Sequence, residues 1–398
     1  MKLVSIPKFD DYRLDAIFDC YKWDPQFKDS NTLSKYALVL TEKEYKEIKQ
    51  LTEKLDQETI MAEEFLNKNQ NLAKPLNLPK KISNELKRMS NYDPKRHLRL
   101  MRYDFHLDIN NNWVISEVNS DVPGGFAESS LLPKLAIKYL KKDYTSINFG
   151  DILASNIEKK IKGKNIMFVH CTSYSDDRQV MQFIGDEMEK RGYNSLYGAA
   201  DHIIFKNKKA ISILDGHEGE IDFIFRFTPL EWLKDIKPKT WDGYFDTITP
   251  SCNHPVAIFA QTKRFPLIWE SLKKNGIKLD TWEKLLPHTI LVKDLKDKEG
   301  YIYKPACGRV GEKISIKEAC DEEEYNLILK DVKRHPNDYL AQEKFISMPI
   351  LSPNKEEYHV CIGSYTVEGK HAGFYARMSK KPRIDSHALD LPVIIERG

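Results

Sequence analysis

Six cysteines are spread thinly over 398 residues, at Cys20, Cys171, Cys252, Cys307, Cys320 and Cys361, and no two form a CxxC pair. That scarcity excludes a zinc ribbon and a disulfide framework, and it suits a reducing compartment. No apolar run approaches the roughly 20 residues that cross a bilayer, and the opening MKLVSIPKFDDYRLD lacks the sustained apolar core of a signal peptide. The expectation is a soluble cytoplasmic protein with no membrane partner. Neither sign of charge dominates: the formal net charge is only +3 and evenly spread, which speaks against a nucleic-acid partner. There is no GxGxxG, hence no sign of a dinucleotide fold, and there is neither an internal repeat nor a low-complexity tract.

What the chain does have is enough apolar substance for a core, at 41% hydrophobic residues, and a length that favours two or three domains. Its most informative stretch is RYDFHLDINNNWVISEVNSD, Arg102 to Asp121. Met101, Tyr103, Phe105 and Leu107 alternate with Arg102, Asp104, His106 and Asp108, the pattern of a strand. Asn110-Asn111 suits a two-residue turn, because Asn tolerates left-handed backbone. With that turn Asp104 faces Glu117 and Arg102 faces Asn119. Opposed carboxylates destabilise a hairpin, and a divalent cation between them would relieve it, since Asp, Glu and an Asn carbonyl are the hard oxygen ligands Mg²⁺ prefers. A solvated polar strand face is the alternative.

Three units follow from the rest of the pattern: residues 1–160, a helical region plus the hairpin; 161–245, an open α/β layer; and 246–398. In the first, Thr41 and Glu44 form a capping box opening a helix from Glu42 to Lys68. SSLLPKLAIKYLKK reads as one helix. In the second, strand KNIMFVHC leads to a helix over Asp176 to Arg191, then to strands NSLYGA, HIIFKN and DFIFRF. At its end Arg226, Glu231 and Trp232 are placed either to meet a polar substrate or to form a local ion pair. In the third, YIYKPACGRVGEKISI reads as strand, glycine loop, strand. Lys304, Gly308, Arg309 and Gly311 form either a phosphate-cradling loop or an ordinary hairpin turn. No GK[ST] follows, so it is not a P-loop. A helix over Asp321 to Lys333, the strand YLAQEKFI and antiparallel strands turning at Glu368-Gly369 complete the chain.

In order, RYD…SEVNSD, the isolated Lys263 before a helix, YKPACGRVGEKI, AQEKF and GFYARMSKK resemble the synthetases of the glutathionylspermidine synthase family, from about Leu98 onward and more loosely before it. The resemblance implies an α+β and α/β chain: an ATP-grasp fold, with two modules holding ATP between them, plus an open pre-ATP-grasp unit. It also implies a permuted order in which the metal carboxylates precede the lysines. It implies Mg²⁺ on Asp104, Glu117 and Asn119, and phosphate contacts from Arg102, Lys263 and Lys304. The loop from Gly308 to Gly311 would cover the phosphates, with Gln342 and Glu343 at the adenine hinge. Arg377 would sit on the transferring phosphoryl group, and Glu231 and Trp232 near a peptide substrate. The implied activity is ATP-dependent joining of a carboxylate to an amine through an acyl phosphate. Two departures stand out. The length leaves no room for the amidase domain of the best-known members, and SDVPGG replaces the small polar run associated with glutathione. The carboxylate is therefore expected to be a peptide or amino acid, and the amine something such as a polyamine. A nucleotide-binding module without ligase activity and a phosphotransferase are the rival readings.

Overall fold

The computed structural model describes residues 1–89, 92–236, 238–308 and 311–397. The carboxylate hairpin, Leu100–Leu107 and Trp113–Asn119, forms one edge of a large antiparallel sheet. Its first strand pairs with Glu357–Val367, which pairs with Lys370–Ser379 and then Leu389–Leu391, so the hairpin sits on strands from the far end of the sequence. The turn between Glu357–Val367 and Lys370–Ser379 has positive φ at both Glu368 and Gly369, as a tight two-residue hairpin requires. The helix Glu42–Lys68 has the predicted bounds and capping box. It buries Ile48, Leu55, Ala62 and Leu66 in the same core as Met101, Tyr103 and Phe105. Thr52 and Thr59 join it to the sheet through the hydroxyls of Ser364 (2.8 Å) and Tyr103 (3.1 Å).

A parallel sheet ordered Ser251–Cys252, Phe223–Arg226, Asn165–Val169, Asn194–Gly198 makes the α/β layer, with helix Ser175–Glu189 against it. Its edge strand at 251–252 lies beyond residue 246, the start expected for the third unit. A three-stranded sheet, Thr289–Leu291, Tyr339–Glu343 and Tyr301–Pro305, is covered by helix Glu322–Arg334, whose Ile328 and Val332 meet Tyr303, Tyr339 and Ala341. A fourth sheet brings Lys2–Ser5 and Tyr36–Leu40 together with Val393–Glu396 and Tyr144–Thr145.

Three local expectations are corrected, and one helix is new. The hairpin turn is one residue longer: Ile109, Asn110 and Asn111 lie between Asp108 and Asn112, whose backbone groups bond at 2.9 Å, and Asn111 alone has positive φ. The helix through 129–142 is two, Phe126–Ser130 and Leu132–Leu140, because Pro133 has no N–H to carry the first onward. KISI is not a strand. Ser315 N–H donates to the Tyr303 carbonyl, but the Tyr303 N–H donates to the Ser315 hydroxyl, so no ladder propagates. Helix Pro238–Asp246 was not anticipated.

Candidate active site

The carboxylate hairpin, the loop after Tyr301–Pro305 and the strand Lys370–Ser379 line a cavity of about 430 Å³. Arg102, Asp104, Glu117, Asn119, Glu231, Lys263, Lys304, Gly308, Gly311 and Arg377, all singled out in the sequence, are on its wall. Asp104 and Glu117 are cross-strand partners, as are Arg102 and Asn119. They are so because the longer turn is offset by a bulge. Pairing runs Asp104 with Glu117 and then Phe105 with Ile115, leaving Ser116 over. The bulge puts Ser116 and Glu117 on the cavity side and Ile115 and Val118 in the core. The signal for it was in the sequence, since Ile115 and Val118 are three apart, one more than an unbroken strand allows on one face.

The opposed carboxylates do not face each other unrelieved. Arg102 donates to Asp104 with both Nε (2.8 Å) and Nη2 (3.0 Å), a bidentate pair, and its Nη1 donates to the Gly124 carbonyl. Asn119 Nδ2 donates to Asp104 at 3.0 Å. Glu117 pairs with Lys263 at 2.9 Å, and Lys263 also donates to the Gly308 carbonyl at 3.2 Å. The repulsion that suggested a metal is thus balanced by side chains of the protein. The Arg102 guanidinium carbon lies 5.2 Å from the centre of the Tyr375 ring, and its side chain crosses Gly363, where a Cβ would meet its Cδ at 2.6 Å. Among the described residues no three His, Cys, Asp or Glu side chains gather as a metal-ligating group. Two carboxylates and an amide are nonetheless donors of the kind Mg²⁺ takes.

Burial pushes Asp104 up from the usual carboxylate range, against the pull of Arg102. Burial acts on Glu117 too, but Lys263, Lys304 and Arg102 together hold it below that range. Lys304, 6% exposed, is lowered to about 8 by burial and by neighbouring Lys263, with Glu117 opposing. Among described residues it has no carboxylate within ion-pair distance, and its Nζ donates to the Ser116 carbonyl at 3.4 Å. His106, also on the wall, is lowered to about 4 by burial and by Lys304. Its Nε2 meets the Ser116 hydroxyl at 3.2 Å.

The remaining sequence candidates fall elsewhere. Gln342 is buried and borders a neighbouring pocket of about 30 Å³ with Lys263, Lys304, Phe265 and Leu340. Its Nε2 donates to Thr289 at 2.9 Å and its Oε1 has no partner among the described residues. Glu343 is exposed. Gly311 has φ +67, and a Cβ there would lie 2.4 Å from the Ile384 carbonyl oxygen. Arg309 lies outside the described residues. Arg377 donates to the carbonyls of Asp385 (2.7 Å) and Ala388 (3.1 Å), its Nε lying 3.9 Å from Asp390. Arg226 is fully buried and off the cavity wall. Its guanidinium is taken up by Asp121, the Thr228 carbonyl (2.6 Å) and Tyr244 (3.0 Å). Trp232 is half-buried on the short helix Leu230–Asp235, whose Glu231 does reach the wall. Sequence reasoning missed Gln261, whose side-chain oxygen accepts from the backbone of Ser120 (2.8 Å) and Asp121 (2.9 Å) and so fixes the loop leaving the hairpin.

Residues 14–396 match the family model described as glutathionylspermidine synthase preATP-grasp. No curated protein matches the chain. Among solved structures, a glutathione synthetase-like effector from Globodera pallida in apo form aligns with a TM-score of 0.68 at 13% identity, over 99% of this chain and 100% of that one. A putative gamma-glutamylcysteine synthetase from Methylobacillus flagellatus KT aligns with a TM-score of 0.43 at 12% identity, over 85% of this chain and 88% of that one. The likeness to the first is one of fold, and with the family match it makes this mixed α/β chain ATP-grasp-like. No helix among the described residues is long and apolar enough to cross a membrane.

Proposed function

The chain belongs to the glutathionylspermidine synthase preATP-grasp family, and with it to the carboxylate–amine ligases; on that premise we propose that it joins a peptide or amino-acid carboxylate to an amine, such as a polyamine, at the expense of ATP. The observation that carries this reading is the pairing within one cavity of Asp104 with Arg102 and of Glu117 with Lys263, beside a Lys304 that forms no ion pair among the described residues.

A carboxylate is a poor electrophile. Its oxygen attacks the γ-phosphorus of ATP, the bond to the β-phosphate oxygen breaks, and ADP leaves. The amine nitrogen then attacks the acyl phosphate carbonyl, phosphate departs, and the nitrogen gives up a proton to form the amide. Such a transfer needs positioning and charge neutralisation more than a side-chain nucleophile. Arg102 and Lys263 exchange their carboxylate partners for phosphate oxygens as ATP enters, which frees oxygens of Asp104 and Glu117. These two and Asn119 would hold Mg²⁺, which supplies further neutralisation of the phosphates. Lys304 would add positive charge, and Arg377 would steady the transferring group. Gly308 and Gly311, both on the cavity wall, would lie against the phosphates. The unpartnered Gln342 Oε1 is an acceptor for the adenine amino group, with Glu343 next along the same strand. Glu231, with Trp232 next to it in sequence, would meet the acceptor, and Arg226 would support that end through Asp121.

The test is ADP release with Mg²⁺ and ATP across a panel of amino acids, short peptides and amines, with mass spectrometry of the products. The expected result is ADP formation that requires both a carboxylate and an amine, with an amide product. Binding of ATP without turnover on any pair, or a stable phosphoester in place of an amide, would overturn the reading.

A further inference from the structure

The bulge in the carboxylate hairpin does more than set the register. Ser116 is the residue left over between two paired positions. Its carbonyl accepts from Lys304 Nζ at 3.4 Å, while its hydroxyl lies 3.2 Å from His106 Nε2 and 3.4 Å from the Asp104 carbonyl. Ser116 lines both the main cavity and the small pocket beside it. Among the described residues Lys263 has a carboxylate partner within ion-pair distance and Lys304 has not. The two lysines of the cavity are therefore held by chemically different anchors, one charged and one neutral.

We infer that Ser116 is a positioning residue whose bulged carbonyl orients Lys304 without tying it into an ion pair, so that the lysine is left to meet a polyphosphate. A carboxylate in the same place would hold the lysine better and cancel the charge that a phosphate needs. A backbone carbonyl fixes the direction and leaves the charge. This rests on the reading of the cavity as a nucleotide site, but the anchor itself can be tested without nucleotide.

Deleting Ser116 is an unusually clean change here. Without it Ile115, Glu117, Val118 and Asn119 alternate regularly between core and cavity, and Asp104 still faces Glu117, so the hairpin is expected to fold. Lys304 loses its anchor. Ser116→Ala keeps the bulge and the carbonyl and serves as the comparison. Labelling with an amine-directed reagent, read at Lys304 by mass spectrometry, is expected to rise several-fold in the deletion and to stay at the wild-type rate in Ser116→Ala. Equal labelling in the deletion and the wild type overturns the inference, as does a rise in Ser116→Ala matching that of the deletion. On the intact enzyme, the deletion is expected to weaken a non-hydrolysable ATP analogue with Mg²⁺ about tenfold, the order set by one hydrogen bond to a charged group, and to raise KM for ATP more than it lowers kcat. Failure of the wild type to bind the analogue would count against the nucleotide reading, with labelling still deciding the anchor. Should the deletion not fold, Ser116→Asp decides. A carboxylate on the bulge is expected to weaken analogue binding and lower labelling at an unchanged melting temperature, and wild-type values for both overturn the inference.

Discussion

Arg226 and Asp121 form an ion pair from which solvent is shut out on both sides, at 0% and 1% side-chain exposure. Asp121 also accepts from the Leu230 backbone at 2.7 Å, so the pair ties the loop leaving the carboxylate hairpin to the turn that carries Glu231. Removing one partner of such a pair strands a buried charge. Arg226→Ala is expected to cost about 3–5 kcal/mol of unfolding free energy, read from the denaturant midpoint. A raised KM at unchanged stability would instead mark Arg226 as a direct substrate contact.

Glu117→Gln is expected to abolish Mg²⁺-dependent turnover. Relief of opposed charge alone would leave the hairpin unharmed, but Glu117 is also the partner of buried Lys263. A loss of about 1–3 kcal/mol should therefore accompany the loss of activity. Near-wild-type turnover would remove Glu117 from the site.

Glu63 shares Arg99 with Asp56, all three buried beneath the large sheet. Burial, with Asp56 adding to it and Arg99 opposing, raises Glu63 from 4.5 to about 7. Between these values the folded protein holds a proton that the unfolded chain has released. Stability attributable to Glu63 therefore falls as pH rises from about 4.5 to about 7, by on the order of 1–3 kcal/mol. Comparing unfolding curves at pH 5 and pH 7.5 for wild type and Glu63→Gln checks this. The wild type should lose more over that interval, and equal slopes would contradict it.

Gly311 holds a left-handed backbone in close contact with Ile384. Gly311→Ala is expected to displace the loop, raise KM for ATP about tenfold and cost about 1–2 kcal/mol of stability. An unchanged KM would show that the loop does not cover the nucleotide.

Sequence patterns were most legible where the cause is local. Thr41 and Glu44 announced the start of the long helix, and Glu368-Gly369 announced a turn that needs two positive φ values. The facing of Asp104 and Glu117 was foreseen through two misreadings that cancel, a turn one residue too short and an unseen bulge at Ser116. What could not be read was which distant charge answers which. Arg226 beside Glu231 in sequence is paired with Asp121 in space, and Lys263 answers Glu117 across the cavity. The sheet joining Lys2–Ser5 to Val393–Glu396 is equally non-local, and its strands are too short to show period-two alternation.

The pairing of Asp104 with Gly363 has a consequence for how the protein is made. During synthesis the carboxylate hairpin leaves the ribosome with Asp104, Glu117 and an unpaired strand edge, and its partner strand emerges only after the α/β layer and the three-stranded sheet of Thr289–Leu291, Tyr301–Pro305 and Tyr339–Glu343 have been translated. The cavity cannot close progressively along the chain. It is assembled in one late, long-range event, and the hairpin edge is open to wrong partners until then. A chain released before the Glu357–Val367 strand would carry Arg102, Asp104, Glu117 and Asn119 and have no cavity to hold them in.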